Sequence, residues 1–285
     1  MSEQVKLGYI GLGNMGTPMA KKMAEWPGGL TVYDIRTEAM TPLAEKGASL
    51  ADSVADVAAT DIISVTVLND EQVRNVVGEL ASHAKPGTII AIHSTISDTT
   101  AEELARELEP QDIHVIDAPV SGGTRAARFG QLATMVGAGD EVFARVKESF
   151  SHWADLVVHA GPPGAGTRMK LARNMLTFTG YAAVGEAWKL AEAAGLNLQD
   201  LGNVVRHTDQ LSGGPGSVMY RDDTKDLEPG HFLYDGFIHA RGLGEKDLGL
   251  ALALGEALSV DLPLAKLALK RLAPGLGVPH TEKET

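Results

Sequence analysis

An α/β fold is what this sequence predicts: a doubly wound parallel sheet followed by an all-α C-terminal domain. Three observations predict it. Short β-rich runs alternate with helical stretches from Val5 to Val158. That alternation stops at Gly161-Pro-Pro-Gly164, after which the chain is rich in Ala, Leu, Glu and Lys without strand-like patterning. Glycine supplies 32 of 285 residues, above the usual ~7%, as tight turns and close backbone approaches to ligands require.

The strands read in order as Val5–Ile10, Leu30–Tyr33, Ile62–Val67, Thr88–Ile92, His114–Ile116, Leu132–Val136 and Leu156–Val158. Several are nearly continuous apolar runs, the pattern of parallel strands buried on both faces. Helical stretches lie between them, at Met15–Glu25, Asp70–Leu80, Thr99–Leu108 and Asp140–Phe150, and this βαβ alternation defines the open sheet. From Ala165 to Ala194 there is no proline, and Gly195 stands where a helix C-cap belongs. The expected domains are residues 1–161, built on the sheet, and 162–285, all-helical.

Composition excludes several classes of protein. Without cysteine there is no disulfide framework, thiolate zinc site or cysteine nucleophile. Lys plus Arg number 25 against 37 Asp plus Glu, a net charge of −12, the wrong sign for a general nucleic-acid or anionic-membrane binder. The most apolar run, Leu248–Leu254, is far too short to span a bilayer. The polar start at Met1 shows no signal peptide. A cytoplasmic protein is therefore expected. The tail Pro279–Thr285 reads as short, polar and loose.

The clearest chemical signal is GLGNMGTPM, directly after the first strand. Gly11, Gly13 and Gly16 have the spacing that permits a tight turn, a close approach of backbone to a pyrophosphate, and close helix–strand packing. With Leu12, Asn14 and Met15 they form the phosphate loop of a Rossmann-type domain, and the helix that follows offers N–H groups and a positive dipole end to the anion. Asp34 ends the next strand, where its carboxylate can accept both adenosine ribose hydroxyls and repel a 2′-phosphate. NAD is the expected cofactor. NADP stays possible because Arg36 and Thr37 follow at once.

In the long helix, Lys170, Asn174, Thr177 and Tyr181 share one face, beside an apolar stripe of Leu171, Met175, Phe178 and Ala182. A solvent face has little reason to choose Asn and Thr, which are poor helix formers. Lys170 could move a proton on a reacting oxygen, with Asn174 holding it in position. Arg168 and Arg173, with Arg125 and Arg128, would make a local positive patch and push the lysine's pKa down, which suits an anionic small substrate. Ser121, Gly122 and Gly123 read either as a carboxylate cradle or as a plain β-turn. No G-x-S-x-G, H-E-x-x-H or Walker lysine occurs, and His231 and His239 read as ordinary residues.

Taken together, GLGNMGTPM from Gly11, DAPVSGG from Asp117, GAGTRMKLARN from Gly164 and EKDLGLAL from Glu245 resemble the β-hydroxyacid dehydrogenases, the group of 3-hydroxyisobutyrate dehydrogenase and tartronate semialdehyde reductase. The resemblance covers nearly the whole chain. It implies reversible oxidation of small 3-hydroxy acids to semialdehydes, with hydride passing to a nicotinamide. Lys170 matches the catalytic lysine, Asn174 its helical partner, and Ser121, Gly122 and Gly123 the carboxylate-binding turn. Thr95 matches a threonine near the nicotinamide, Leu68 and Asn69 a Leu-Pro pair at the cofactor, and Lys246 a lysine closing over it. Asn69 departs from the usual proline. The resemblance also implies a homodimer or homotetramer through the helical part; from the net charge no nucleic-acid or membrane partner is expected, and from the histidine spacing no metal. Substrate size is expected to be read by Phe237 and the Ser212–Ser217 loop. Imine reductases, and non-catalytic cofactor-binding relatives, share the architecture, but Lys170 counts against both.

Overall fold

The computed structural model describes residues 4–281. It forms two compact units that divide at Asn174/Met175. The first opens with β1 (Leu7–Ile10), α1 (Gly16–Met23), β2 (Leu30–Tyr33), α2 (Thr37–Ala44), β3 (Ser49–Leu50) and α3 (Val54–Val57). It continues through β4 (Ile62–Val65), α4 (Asp70–Ala81), β5 (Ile89–Ile92), α5 (Asp98–Leu108), β6 (His114–Asp117) and β7 (Val120–Ser121). Then come α6 (Gly123–Phe129), β8 (Leu132–Gly137), α7 (Asp140–Phe150), β9 (Ala154–Gly161) and the start of α8 (Ala165–Ala193).

The sheet runs β3-β2-β1-β4-β5-β6-β8-β7, with β9 paired to β8. Strands β1 to β6 pair in parallel. Successive side chains on these strands feed opposite faces, as a pleated strand requires. Leu7 and Tyr9, Ile62, Ile89 and Ala91 join one apolar core, with Trp153 and Phe150. Ile10, Ile63 and Val65, Ile90 and Ile92 join the other, beneath α4 and α5. Two cores, one on each face, are the physical content of a doubly wound sheet.

Two local features differ from the sequence reading. The stretch from Asp34 to Asp61, where no element is named from the sequence, carries α2, β3 and α3, and the last two are too short to show a period. The parallel order also ends at β8, which runs antiparallel to β6 and β7. The connection from β6 to β8 holds only β7 and the short α6, and a reversal needs no crossover.

An imidazole sits inside this core. His93, just after β5, is buried between Tyr9, Phe150 and Trp153. Its Nδ1 lies 2.8 Å from the Ala118 carbonyl and its Nε2 3.0 Å from Ser64 Oγ. A carbonyl can only accept, so Nδ1 donates and the neutral ring takes the serine hydroxyl's hydrogen at Nε2.

The second unit continues α8 and adds α9 (Leu198–Ser212), α10 (Tyr234–Ala257) and α11 (Pro263–Leu276). Asn197 caps α9, and the Glu186 carboxylate accepts the Leu264 and Ala265 N–H groups at the start of α11. Phe237 is buried against Leu276 and Val278 as core. That corrects its expected role as a reader of substrate size. The end of the chain is also less loose than expected: Arg241 donates to the Pro279 carbonyl, and His280 and Thr281 bond Glu245. Residues 282–285 of that tail lie outside the described residues. Among the described residues no helix is long and apolar enough to cross a membrane.

Candidate active site

The candidate groups of the first unit gather beyond the carboxyl ends of the parallel strands, where open α/β sheets bind ligands. Gly11 follows β1 with φ +91°, and its N–H donates to the Tyr33 carbonyl. A Cβ there would lie 2.1 Å from the Thr66 carbonyl oxygen, and one at Gly16 would lie 1.9 Å from that of Gly11. Nothing lies within 4 Å of the corresponding position at Gly13. The first and third glycines are therefore packing requirements, and the second leaves open backbone for a pyrophosphate. Gly13 and Asn14 are exposed, and Met15, at the start of α1, offers its helix no side-chain cap. The N–H groups of the first turn can face an anion.

Asp34 ends up buried. Its Oδ2 accepts the Leu12 N–H at 2.6 Å, and its Oδ1 accepts the backbone N–H and Nε of Arg36 at 2.9 and 3.1 Å. Burial alone would raise its pKa, but the donors of Arg36 and Leu12 and the guanidinium charge hold it below the usual carboxylate value. The carboxylate thus ties β2 to the phosphate loop. Arg36 is exposed beside it and pairs with it at 3.1 Å. The residues present fit a nicotinamide dinucleotide.

The loops after β4 and β5 are fastened together by Ser94, whose hydroxyl accepts the Val67 N–H and donates to the Val67 carbonyl. Leu68 and Thr95 are exposed on these two loops. Asn69 caps α4, its Oδ1 taking the Gln72 N–H at 2.9 Å. Its side chain serves the helix, which accounts for an asparagine where the resemblance leads one to expect proline.

Lys170 is 7% exposed. Its ammonium donates to the Val120 carbonyl at 2.6 Å, and the next residue is Ser121. The Ser121 hydroxyl oxygen is buried with no hydrogen-bond partner among the described residues. Gly122 and Gly123 follow at φ +131° and +70°, turning the chain into α6. The structure therefore brings Lys170 to the Ser121–Gly123 turn across fifty residues of sequence. Burial first, and the Arg173 charge second, hold the lysine's pKa below its ordinary value.

Asn174 lies one helical turn beyond, half-buried, with its Oδ1 3.4 Å from an Arg173 nitrogen. Arg168 does not add to the positive patch as expected. It pairs with Asp98 at 3.0 Å and Glu102 at 2.6 Å, which cancel its charge. Arg125 and Arg128 are exposed on α6. In the second unit, Lys246 is exposed on α10 and pairs with Asp247 at 3.1 Å. The Ser212–Ser217 segment spans the end of α9 and a 3-10 turn.

A glycine loop, an acidic strand end and a buried lysine beside an orphaned hydroxyl define a dinucleotide-dependent oxidoreductase. The comparisons agree. A family model described as the NAD binding domain of 6-phosphogluconate dehydrogenase matches residues 6–161. Another, described as NAD-binding of NADP-dependent 3-hydroxyisobutyrate dehydrogenase, matches residues 164–276. A crystal structure of an oxidoreductase from Mycobacterium avium 104 is similar at a TM-score of 0.95 and 75% identity, covering 97% of this chain and 100% of that one. An oxidoreductase of Mycobacterium tuberculosis is 64% identical over 99% of this chain and 97% of its own. The 2-(hydroxymethyl)glutarate dehydrogenase of Eubacterium barkeri is 34% identical over 94% of this chain and 88% of its own. The chain belongs to the β-hydroxyacid dehydrogenase family and is an NAD(P)-dependent oxidoreductase.

Proposed function

We propose that the enzyme reversibly oxidises a small 3-hydroxy acid to its semialdehyde, with Lys170 moving the hydroxyl proton. One observation carries this reading. The buried Lys170 ammonium reaches Val120, next to the partnerless Ser121 hydroxyl, so a proton-transfer group and a carboxylate cradle adjoin. Relatives support the substrate class. Both 2-(hydroxymethyl)glutarate and 3-hydroxyisobutyrate, named for a relative and a matched family, carry a hydroxymethyl group on the carbon that bears a carboxylate.

In this reading the substrate carboxylate is held by Ser121, Gly122 and Gly123. Lys170 takes the hydroxyl proton during oxidation and returns it during reduction, and Asn174 orients the reacting oxygen. Residues 11–16 and Asp34 hold the dinucleotide. Leu68, Asn69 and Thr95 attend its nicotinamide end. When bound, the nicotinamide supplies the hydride chemistry. Steady-state rates on a panel of 3-hydroxy acids, with NAD and NADP in parallel, test the assignment. The expected outcome is turnover on 2-substituted 3-hydroxy acids with NAD preferred. Turnover on cyclic imines alone would overturn it. A clear preference for NADP would make Arg36, not Asp34, the residue that decides the cofactor.

A cytoplasmic homo-oligomer, dimer or tetramer, completes the proposal. On α8 and α9 the large apolar side chains of Phe178, Tyr181, Trp188, Val204 and Leu211 are exposed, more than a lone soluble chain ordinarily leaves to water. Light scattering at micromolar concentration is expected to give a mass of at least two chains, and a monomer would remove the assembly.

A further inference from the structure

Helix α8 needs an anchor that its own sequence does not provide. The first four N–H groups of a helix have no intrahelical acceptor. The lead-in, Gly161-Pro-Pro-Gly-Ala-Gly166, contains no Ser, Thr, Asp or Asn to accept them. The acceptor comes instead from the sheet. Asp117, the last residue of β6, is 0% exposed. Its Oδ1 takes the Gly164 N–H at 2.7 Å and its Oδ2 the Thr167 N–H at 2.5 Å.

The fit around this carboxylate is close. Gly137 faces Asp117 across the β6–β8 pair, and a Cβ there would lie 2.1 Å from Asp117 Oδ1. A Cβ at Gly166 would lie 2.2 Å from the Met135 carbonyl oxygen and 2.9 Å from that of Asp117. Helix and sheet backbones therefore meet directly. Burial pushes the Asp117 carboxyl up, and the helix N–H donors oppose that shift. With both oxygens committed to α8, Asp117 does not touch substrate, although it opens the segment that forms the carboxylate turn.

We propose that Asp117 is the positioning residue for Lys170: its carboxylate fixes the first turn of α8 against the Val120–Gly123 turn. The two ends of the link are short. Three residues beyond Asp117 is Val120, whose carbonyl takes the Lys170 ammonium. Three residues beyond Thr167 is Lys170 itself, less than one helical turn at ~1.5 Å per residue. Little slack separates the clamp from the reacting group.

This inference rests on Lys170 as the proton-transfer group, and the test separates the two. Asp117→Asn, Lys170→Ala, their double variant and Gly137→Ala are compared for kcat, KM and NADH affinity by fluorescence titration. Asp117→Asn keeps one acceptor of two and is expected to lower kcat by roughly 10–100-fold, the scale of an ångström-sized misplacement. NADH affinity stays near that of the wild type. In the Lys170→Ala background the same change is expected to cost no more than about twofold, because the group it positions is gone. Gly137→Ala keeps the charge but displaces the carboxylate, and is expected to lower kcat in the same direction. It carries the test in both backgrounds if Asp117→Asn does not accumulate as folded protein. Unchanged kcat in these variants, or an equal loss with and without Lys170, would overturn the clamp. If Lys170→Ala itself kept kcat, the assignment of Lys170 would have failed and the clamp with it.

Discussion

Replacing Lys170 with alanine is expected to lower kcat on the best hydroxy acid by roughly 10²–10⁴-fold, the usual worth of a positioned proton-transfer group. Cofactor affinity is expected to change little, because the phosphate loop and Asp34 belong to the first βαβ unit. The pH dependence gives a second readout. Oxidation needs the neutral amine as base, so its kcat is low below the folded pKa of Lys170 and rises through it. That pKa lies below the ordinary lysine value of 10.5, chiefly through burial and secondly through Arg173. Reduction needs the ammonium as acid and should show the opposite limb. Lys170→Ala should flatten both. A loss of less than about tenfold in kcat, with the limb intact, would remove Lys170 from this role.

The second large effect concerns stability in acid. Burial holds the His93 pKa near 4 rather than 6.5, with the bond to the Ala118 carbonyl only partly opposing the shift. The unfolded chain protonates this ring near pH 6.5, while the folded chain resists until about pH 4. Between those values the unfolded state binds the extra proton, so stability is fully present above pH 6.5 and is lost as pH falls. The loss amounts to on the order of 3 kcal/mol by pH 4. Urea unfolding of the wild type and of His93→Phe across this range measures it. The variant starts less stable, since Ser64 and the Ala118 carbonyl lose a partner, but its stability should fall less steeply with acid. Parallel slopes would show that His93 does not carry the acid sensitivity.

Much of the sheet unit is legible along the chain because its signals are local. Apolar runs such as Ile62–Val65 and Ile89–Ile92 mark strands covered on both faces, and the structure divides their side chains between two cores. The glycines at 11, 13 and 16 announce a turn, an opening and a close packing, and the contacts around them have that form. The segment from Asp34 to Asp61 is illegible for the converse reason. A two-residue strand and a one-turn helix are too short to repeat a period.

What the sequence determined by itself is what neighbours in sequence decide: strand and helix periods, turns that need glycine, and the helical face carrying Lys170 and Asn174. Tertiary structure alone decided which charges survive and what each group meets. Arg168 reads as one more cation near Lys170 until Asp98 and Glu102, far away in sequence, cancel it. Phe237 reads as a substrate contact until Leu276 and Val278 bury it. Asp34 reads as a ribose acceptor, and folding also ties it to Leu12 and Arg36. The missing cap of α8 was visible as an absence in Gly161–Gly166, but its supplier was not. Asp117 lies 47 and 50 positions from the N–H groups it accepts, and only the sheet order that brings β6 against the start of α8 could make it their partner. Local periodicity carries no record of such distant pairs, because burial and hydrogen bonding act through space.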